Sequence, residues 1–313
     1  FENTFVPTDG KSEVLLAIVG GAVHLENFEI WAGGSNPQSQ AVQVFSRHRC
    51  RLRNCYFVFG WRGLIIGRNC FDALVEQCRF DGTFHQHYDT ADPGVQEKAK
   101  HAYALSLGGH SSTKNITVMG GGTAVHLWGS ASTFEMARLE NPFYGMRIGG
   151  STFLPPASNG AASGGSWMNA YGWDISAVSI EGCYEGLLID NSRNTSIAAV
   201  NVQGKGSTSN SRSWGARAGF VIGNTSNVGT RNCSFTGSFT QAAIVYKRSD
   251  MVVQDSGVDN STGSGVVTIG APSLTNGDHR FVGARLFDNQ SPATRSSFSD
   301  LMLRGLTSLR TYP

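Results

Sequence analysis

Every 20 to 23 residues this chain repeats one unit: a short apolar strand, a polar turn bearing Asn or Asp, a second strand, then glycine. The unit reads most plainly from Val42-Gln43-Val44 through Cys50 to Phe57, and again from Leu64-Ile65-Ile66 through Ala73 to Phe80. Strands this short cannot bury an apolar face alone, so a repeat of this length is satisfied by stacking each unit on the next. Residues about one repeat apart then become hydrogen-bonded neighbours, and function has to sit on the outside of the stack.

The first strands index on one inward residue each: Val42, Leu64, Leu105, Val125, Met146, Leu188, Val221, Ile244 and Val267, with separations of 22, 41, 20, 21, 42, 33, 23 and 23. Five separations are single coils. The separations of 41 and 42 add a loop of roughly 20 residues, and 33 adds about a dozen, because insertions in a solenoid leave from its faces. They fall at about 82–102, 150–172 and 204–216.

Second strands repeat as well. Cys55 and Phe57 match Cys78 and Phe80, then Cys233 and Phe235, and more loosely Ser256 and Val258. Alternation sends one residue inward and the next outward, so like stacks on like. Asp72, Asn115, Thr133, Asp174, Ser196, Asn227 and Asp250 precede second strands and are expected to form one repeated corner, since short polar side chains bond their own backbone and tolerate left-handed dihedrals. Only Pro93 to Leu105, with Glu97 and His101 four apart, reads as a short helix. The expected fold is an all-β, right-handed, single-stranded parallel β-helix of about ten or eleven coils. It forms one domain over 1–313 and, at the ~4.8 Å strand spacing, is roughly 50 Å long.

A net charge of +2, only 15% charged residues and no Lys/Arg run argue against nucleic-acid binding. No stretch approaches the ~18 apolar residues a membrane helix needs, so membrane insertion is not expected. The chain starts at Phe1 without a signal-type segment and reads as part of something longer. Of six cysteines, Cys50, Cys55, Cys78 and Cys233 occupy inward positions and none forms a Cys-x-x-Cys. They are expected to be reduced core thiols, which favours folding in a reducing cytoplasm before any release.

These coils, with their Asx corners and small-x-apolar second strands, resemble the pectate-lyase-like superfamily of parallel β-helices, and within it bacteriophage tailspikes and capsule depolymerases. The resemblance implies a homotrimer, on a virion tail or extracellular, that binds and cleaves bacterial surface or extracellular polysaccharide. Polygalacturonase-type motifs are matched only by Gly109-His110-Ser111 and Arg147-Ile148-Gly149, and calcium carboxylate clusters are not evident, so neither chemistry carries over.

Hydrolysis of a polysaccharide needs two carboxyl groups facing one glycosidic bond, and a solenoid supplies them from one outward column on adjacent coils. Aligning second strands puts Tyr56, Arg79, Glu140, Glu181, Gln203 and Ser234 in such a column, with Glu140 and Glu181 one strand spacing apart as the expected catalytic pair. Glu185 follows at the corner as a third catalytic candidate. Arg79, His126, Arg147, Trp128, Trp167, Tyr171, Trp173, His85 and His87 are the expected substrate-binding set, because aromatic faces suit sugar rings and insertions over a rigid scaffold carry function. His85, His87 and Asp89 are too few and too mixed for zinc, so no metal or cofactor is expected.

Elimination is the alternative reaction, with His101, Tyr103, His126 or Arg147 as base. The other alternative is a β-helix that binds glycan, or serves as a stalk, without cleaving. Outward Ile65, Val221 and Val245 would be shielded in a trimer, and Gly204 to Ala216, around Arg212 and Trp214, would edge a groove or a subunit contact.

Overall fold

Parallel pairing accounts for every strand in the structure, a computed structural model that describes residues 14–18, 22–32, 40–44, 49–67, 70–82, 102–149, 170–204, 218–222, 225–237, 241–245, 249–254, 257–260, 265–269, 279–282 and 285–288. One coil shows the plan. Arg62–Ile66 lies on a first face, Ala73–Glu76 on a second and Arg79–Gly82 on a third, and each pairs with its counterpart one repeat earlier and later. First-face strands form one ten-stranded sheet, so the described residues make ten coils. The second and third faces share a 16-stranded sheet, because in the middle coils they fuse into long bent strands such as Gly129–Glu140, Ala170–Cys183 and Ser192–Gly204. The fold is a parallel β-helix.

The bend between second and third faces is a left-handed residue in every coil described there. Asn27, Asn54, Gln77, Asn115, Met136, Ala177, Ala199 and Asn232 all have φ between 49° and 56°. Asn is the side chain that best tolerates this conformation, and Asn54 Nδ2 donates to Asn27 Oδ1 at 2.6 Å, so the corner is also a side-chain ladder. A second left-handed column, Ala131, Gly172, Asn194 and Asn227, marks another corner, where Asn227 Nδ2 donates to Asn194 Oδ1 at 2.8 Å. The single corner column expected from sequence is therefore two corners and a stretch of strand. Asp72 and Asn227 belong to the second corner, and Asn115 to the first. Thr133, Asp174 and Ser196 stand in register along extended strand, and Asp250 lies within Ser249–Gln254. A short polar side chain suits an outward strand position as well as a turn, so residue type alone could not separate them.

Stacks of like residues fill the interior. Leu64, Leu105, Val125, Met146 and Leu187 form one column, and Phe57 stacks on Phe80 with ring centroids 4.6 Å apart. The inward index slips by one at Leu188, because Leu187 pairs with Met146 while Leu188 pairs with Arg147. Val221 and Ile244 follow Leu188 in that column, whereas Val245 falls in register with Leu127, Ile148 and Ile189. The apolar runs there lack the alternation that would fix which residue points in. All six cysteines are buried and none is in a disulfide. Tyr103 to Leu105 is strand, not helix, and 93–101 of that helix expectation lies outside the described residues.

Candidate functional site on the third face

Third-face strands present two outward columns, two residues apart. Register places Glu29, Tyr56, Arg79, Thr117, Arg138, Ser179 and Asn201 in one, and Trp31, Val58, Asp81, Met119, Glu140, Glu181 and Gln203 in the other. Glu140 and Glu181 are direct cross-strand partners, as their spacing required. The expected column nevertheless merged two: Tyr56, Arg79 and Ser234 belong with Arg138, while Glu140, Glu181 and Gln203 belong with Asp81. Both columns face outward, so a two-residue offset leaves the in-out pattern intact and escapes detection from sequence.

Each acid on this face is held by its neighbours. Arg138 Nε meets Glu140 Oε1 at 2.6 Å, and Arg138 Nη2 reaches Glu181 Oε2 at 3.9 Å. Ser179 Oγ donates to Glu181 Oε1 at 3.1 Å. Two coils away, Arg79 grips Asp81 through Nε and Nη2, both at 3.0 Å, and Tyr56 Oη donates to the same carboxylate at 2.6 Å. That hydrogen bond holds the Tyr56 hydroxyl above its ordinary pKa, with burial and the Asp81 charge adding to it. Arg79 is likewise raised, first by its hydrogen bonds to Asp81. Its guanidinium lies 5.6 Å from the centre of the Tyr56 ring, and Trp31 meets that ring edge-on at 6.4 Å. Trp31, Tyr56, Asp81 and Arg138 were not among the expected site residues. Their signal was present as a repeated pair two apart, in Glu29-x-Trp31, Arg79-x-Asp81, Arg138-x-Glu140 and Ser179-x-Glu181.

The other expected residues lie elsewhere. Glu185, Tyr103, His126 and Arg147 are on the first face, separated from the Glu140–Glu181 pair by a corner, and all four are buried. Burial, then the Arg147 charge, lowers His126 to about pKa 3, so its imidazole is neutral at pH 7. The Arg147 guanidinium sits 4.8 Å from the centre of the Tyr144 ring. Trp128 is half-buried, donates Nε1 to Ser106 Oγ at 2.9 Å and lies against Gly108, where a Cβ would collide with the indole. Trp173 is 1% exposed and belongs to the core, which corrects its assignment to substrate binding: its position in the stack is inward. Tyr171 is 50% exposed, but it stands beside the other left-handed corner, away from the acids. His85, His87, Trp167, His101, Arg212 and Trp214 lie outside the described residues. Among the described residues, no group of three or more His, Cys, Asp or Glu could hold a metal ion, and no helix is long and apolar enough to cross a membrane.

A parallel β-helix with a polar, partly aromatic strip along one face is thus the class that fold and site define. No known family profile matches the chain. No curated protein sequence matches it either. Among solved structures it is similar to the tailspike protein of E. coli bacteriophage HK620 in complex with pentasaccharide, at 13% identity and a TM-score of 0.55. A double mutant of that tailspike aligns at 14% identity and a TM-score of 0.58. A single mutant in complex with pentasaccharide aligns at 13% and 0.57. Each alignment covers 87% of this chain and 50% of the other, so the chain spans about half the length of the tailspikes it matches. At these identities the likeness is one of fold.

Proposed function

We infer that this chain is a carbohydrate-active β-helix of the pectate-lyase-like, tailspike kind, which holds a bacterial surface or extracellular polysaccharide along its third face and hydrolyses it with Glu140 and Glu181. The observation that carries this reading is the direct pairing of those two glutamates on adjacent coils, flanked by Arg79, Arg138, Tyr56 and Trp31. One strand spacing of about 4.8 Å is close to the ~5 to 5.5 Å between carboxyl groups of retaining glycosidases rather than the wider gap that admits a water in inverting ones. Retention of configuration is therefore the expected outcome. Glu140, the closer partner of Arg138, is the nucleophile that displaces the leaving group. Glu181, whose side chain is 42% exposed against 20% for Glu140, protonates the departing oxygen and then activates water.

The assembly that goes with this reading is a homotrimer on a virion tail, folded in a reducing cytoplasm. Capsular and lipopolysaccharide preparations incubated with the chain should gain reducing ends, with Glu140→Gln and Glu181→Gln each reducing the rate by two or more orders of magnitude. Light scattering on the same sample should give three times 33.5 kDa. Unchanged rates in both variants would remove these residues from the chemistry. A second reading, glycan binding without cleavage, is favoured by one specific feature: Arg138 gives both glutamates a counterion, as in a purely structural ion pair. Stoichiometric glycan binding with no released product would establish it.

A further inference from the structure

We propose that Trp31 and Tyr56 form a stacking subsite for an uncharged sugar at the N-terminal end of the third face, and that the glycan taken by this face is neutral rather than a polyuronate. The proposal rests on the glycan-binding reading above and narrows it to a substrate class.

Three observations lead there. First, Trp31 is 46% exposed although it lies on a strand of the stack, and it is one of only four large apolar side chains exposed among the described residues. Second, the two rings are held in place. Trp31 Nε1 donates to Glu29 Oε1 at 2.6 Å, which fixes the indole. Its neighbour Tyr56 meets it edge-on at 88° and is pinned at the hydroxyl by Asp81. Asp81 is clamped in turn by Arg79. A platform fixed before the ligand arrives loses little side-chain entropy on binding, and flat aromatic faces present apolar area suited to the C–H face of a pyranose.

Third, the charge of the strip selects against an anion. Its two outward columns from Glu29 to Gln203 carry four carboxylates, Glu29, Asp81, Glu140 and Glu181, and two guanidiniums, Arg79 and Arg138, a net of two minus four, or −2. Both arginines are already engaged by carboxylates of the strip itself. Arg79, one of the expected substrate-binding residues, is instead engaged by Asp81. Among the described residues of the strip, a uronate brought alongside would meet more carboxylates than guanidiniums, with both guanidiniums already engaged, and like charges brought together at an interface are strongly unfavourable. Hydroxyls of a neutral sugar can donate to the same carboxylates. This chemistry also disfavours elimination, which needs a uronate carboxylate beside the abstracted proton.

The test uses the whole chain and immobilised bacterial-surface oligosaccharides in two sets, one uncharged and one uronate-bearing, with Trp31→Ala, Trp31→Phe and, as a surface control, Phe71→Ala. Wild type should bind members of the uncharged set only. Trp31→Ala should weaken that binding about 5- to 10-fold, Trp31→Phe should retain most of it, and Phe71→Ala should match wild type, with thermal melting confirming that each variant is folded. Equal or stronger binding to the uronate set would overturn the neutral-substrate inference. Undiminished binding by Trp31→Ala would overturn the subsite while leaving the glycan-binding reading intact. Failure of wild type to bind either set would overturn both.

Discussion

His126 is a base kept neutral where water cannot reach it. It lies against Tyr103 at 6.4 Å, its Nε2 is 3.3 Å from the Gly149 carbonyl, and the adjacent guanidinium of Arg147 opposes a second positive charge. A group whose folded pKa is about 3 against an ordinary 6.5 binds its proton mainly in the unfolded chain. Its contribution to stability is therefore complete above pH 6.5 and declines as pH falls toward 3, by about 1.4 kcal/mol per unit within that window. Between pH 7 and 4.5 this single residue should cost about 2 to 3 kcal/mol. Urea midpoints at the two pH values, compared with His126→Gln, check it: the variant should lose that much less stability on acidification. A pH dependence identical in wild type and variant would mean that the imidazole is hydrated in the folded chain. The sequence marks His126 as notable but gives no indication of its environment, since the in-out alternation that places it opposite the Val125 core column does not reveal that the outer side is covered too.

Within a coil, one tight position is the small residue just before the inward first-strand side chain: Ala41, Gly63, Ala104, Ala124, Gly145 and Gly186. A Cβ on Gly145 would stand 2.5 Å from the Gly186 carbonyl oxygen and 2.5 Å from Ile180 Cγ2, and neither backbone nor buried Ile can retreat cheaply. Gly145→Ala should therefore destabilise the chain by roughly 1 to 3 kcal/mol through overpacking, measured by denaturant titration. An unchanged midpoint would mean that the coils pack less closely than the geometry requires. This small-residue column is visible in the sequence as the position preceding the first five indexed residues, Val42 to Met146, and so is the stacking of Cys55 on Cys78 and Phe57 on Phe80. Register was legible wherever polar and apolar residues alternate strictly. It failed at Leu187-Leu188 and Phe220-Val221-Ile222, where two or three apolar residues in succession fit either face. It failed again between Arg79 and Glu140, where columns two residues apart share the same outward pattern.

Across the described stack one continuous core runs from Ile30 to Cys233, and the thiols report on its integrity. Cys50, Cys55, Cys70, Cys78, Cys183 and Cys233 are each buried and unbridged. Burial pushes the Cys50 and Cys183 thiols up to about 12, far from the thiolate form that attacks disulfide reagents. Cys55 and Cys78 are on neighbouring coils, but each sulfur also donates to a backbone carbonyl, Cys55 to that of Arg53 and Cys78 to that of Glu76, both at 3.3 Å, which orients them along the stack. The hydrogen bond from Cys78 lowers Cys55 to about 7, but all six sulfurs are buried out of the reagent's reach, so labelling with an aromatic disulfide at pH 8 should find essentially no reactive thiol in the native chain and six after denaturation. Because successive coils bury one another, the slow native reaction should proceed at the rate of unfolding and be insensitive to reagent concentration. Stability should be the same with and without reductant, as no disulfide closes any loop. A rapid burst of one or two thiols under native conditions would show that the core opens locally at the corner carrying Cys55 and Cys78, and with it the frame that holds Tyr56 and Arg79 in place. The third-face strip would then be shaped by its ligand instead of being fixed in advance.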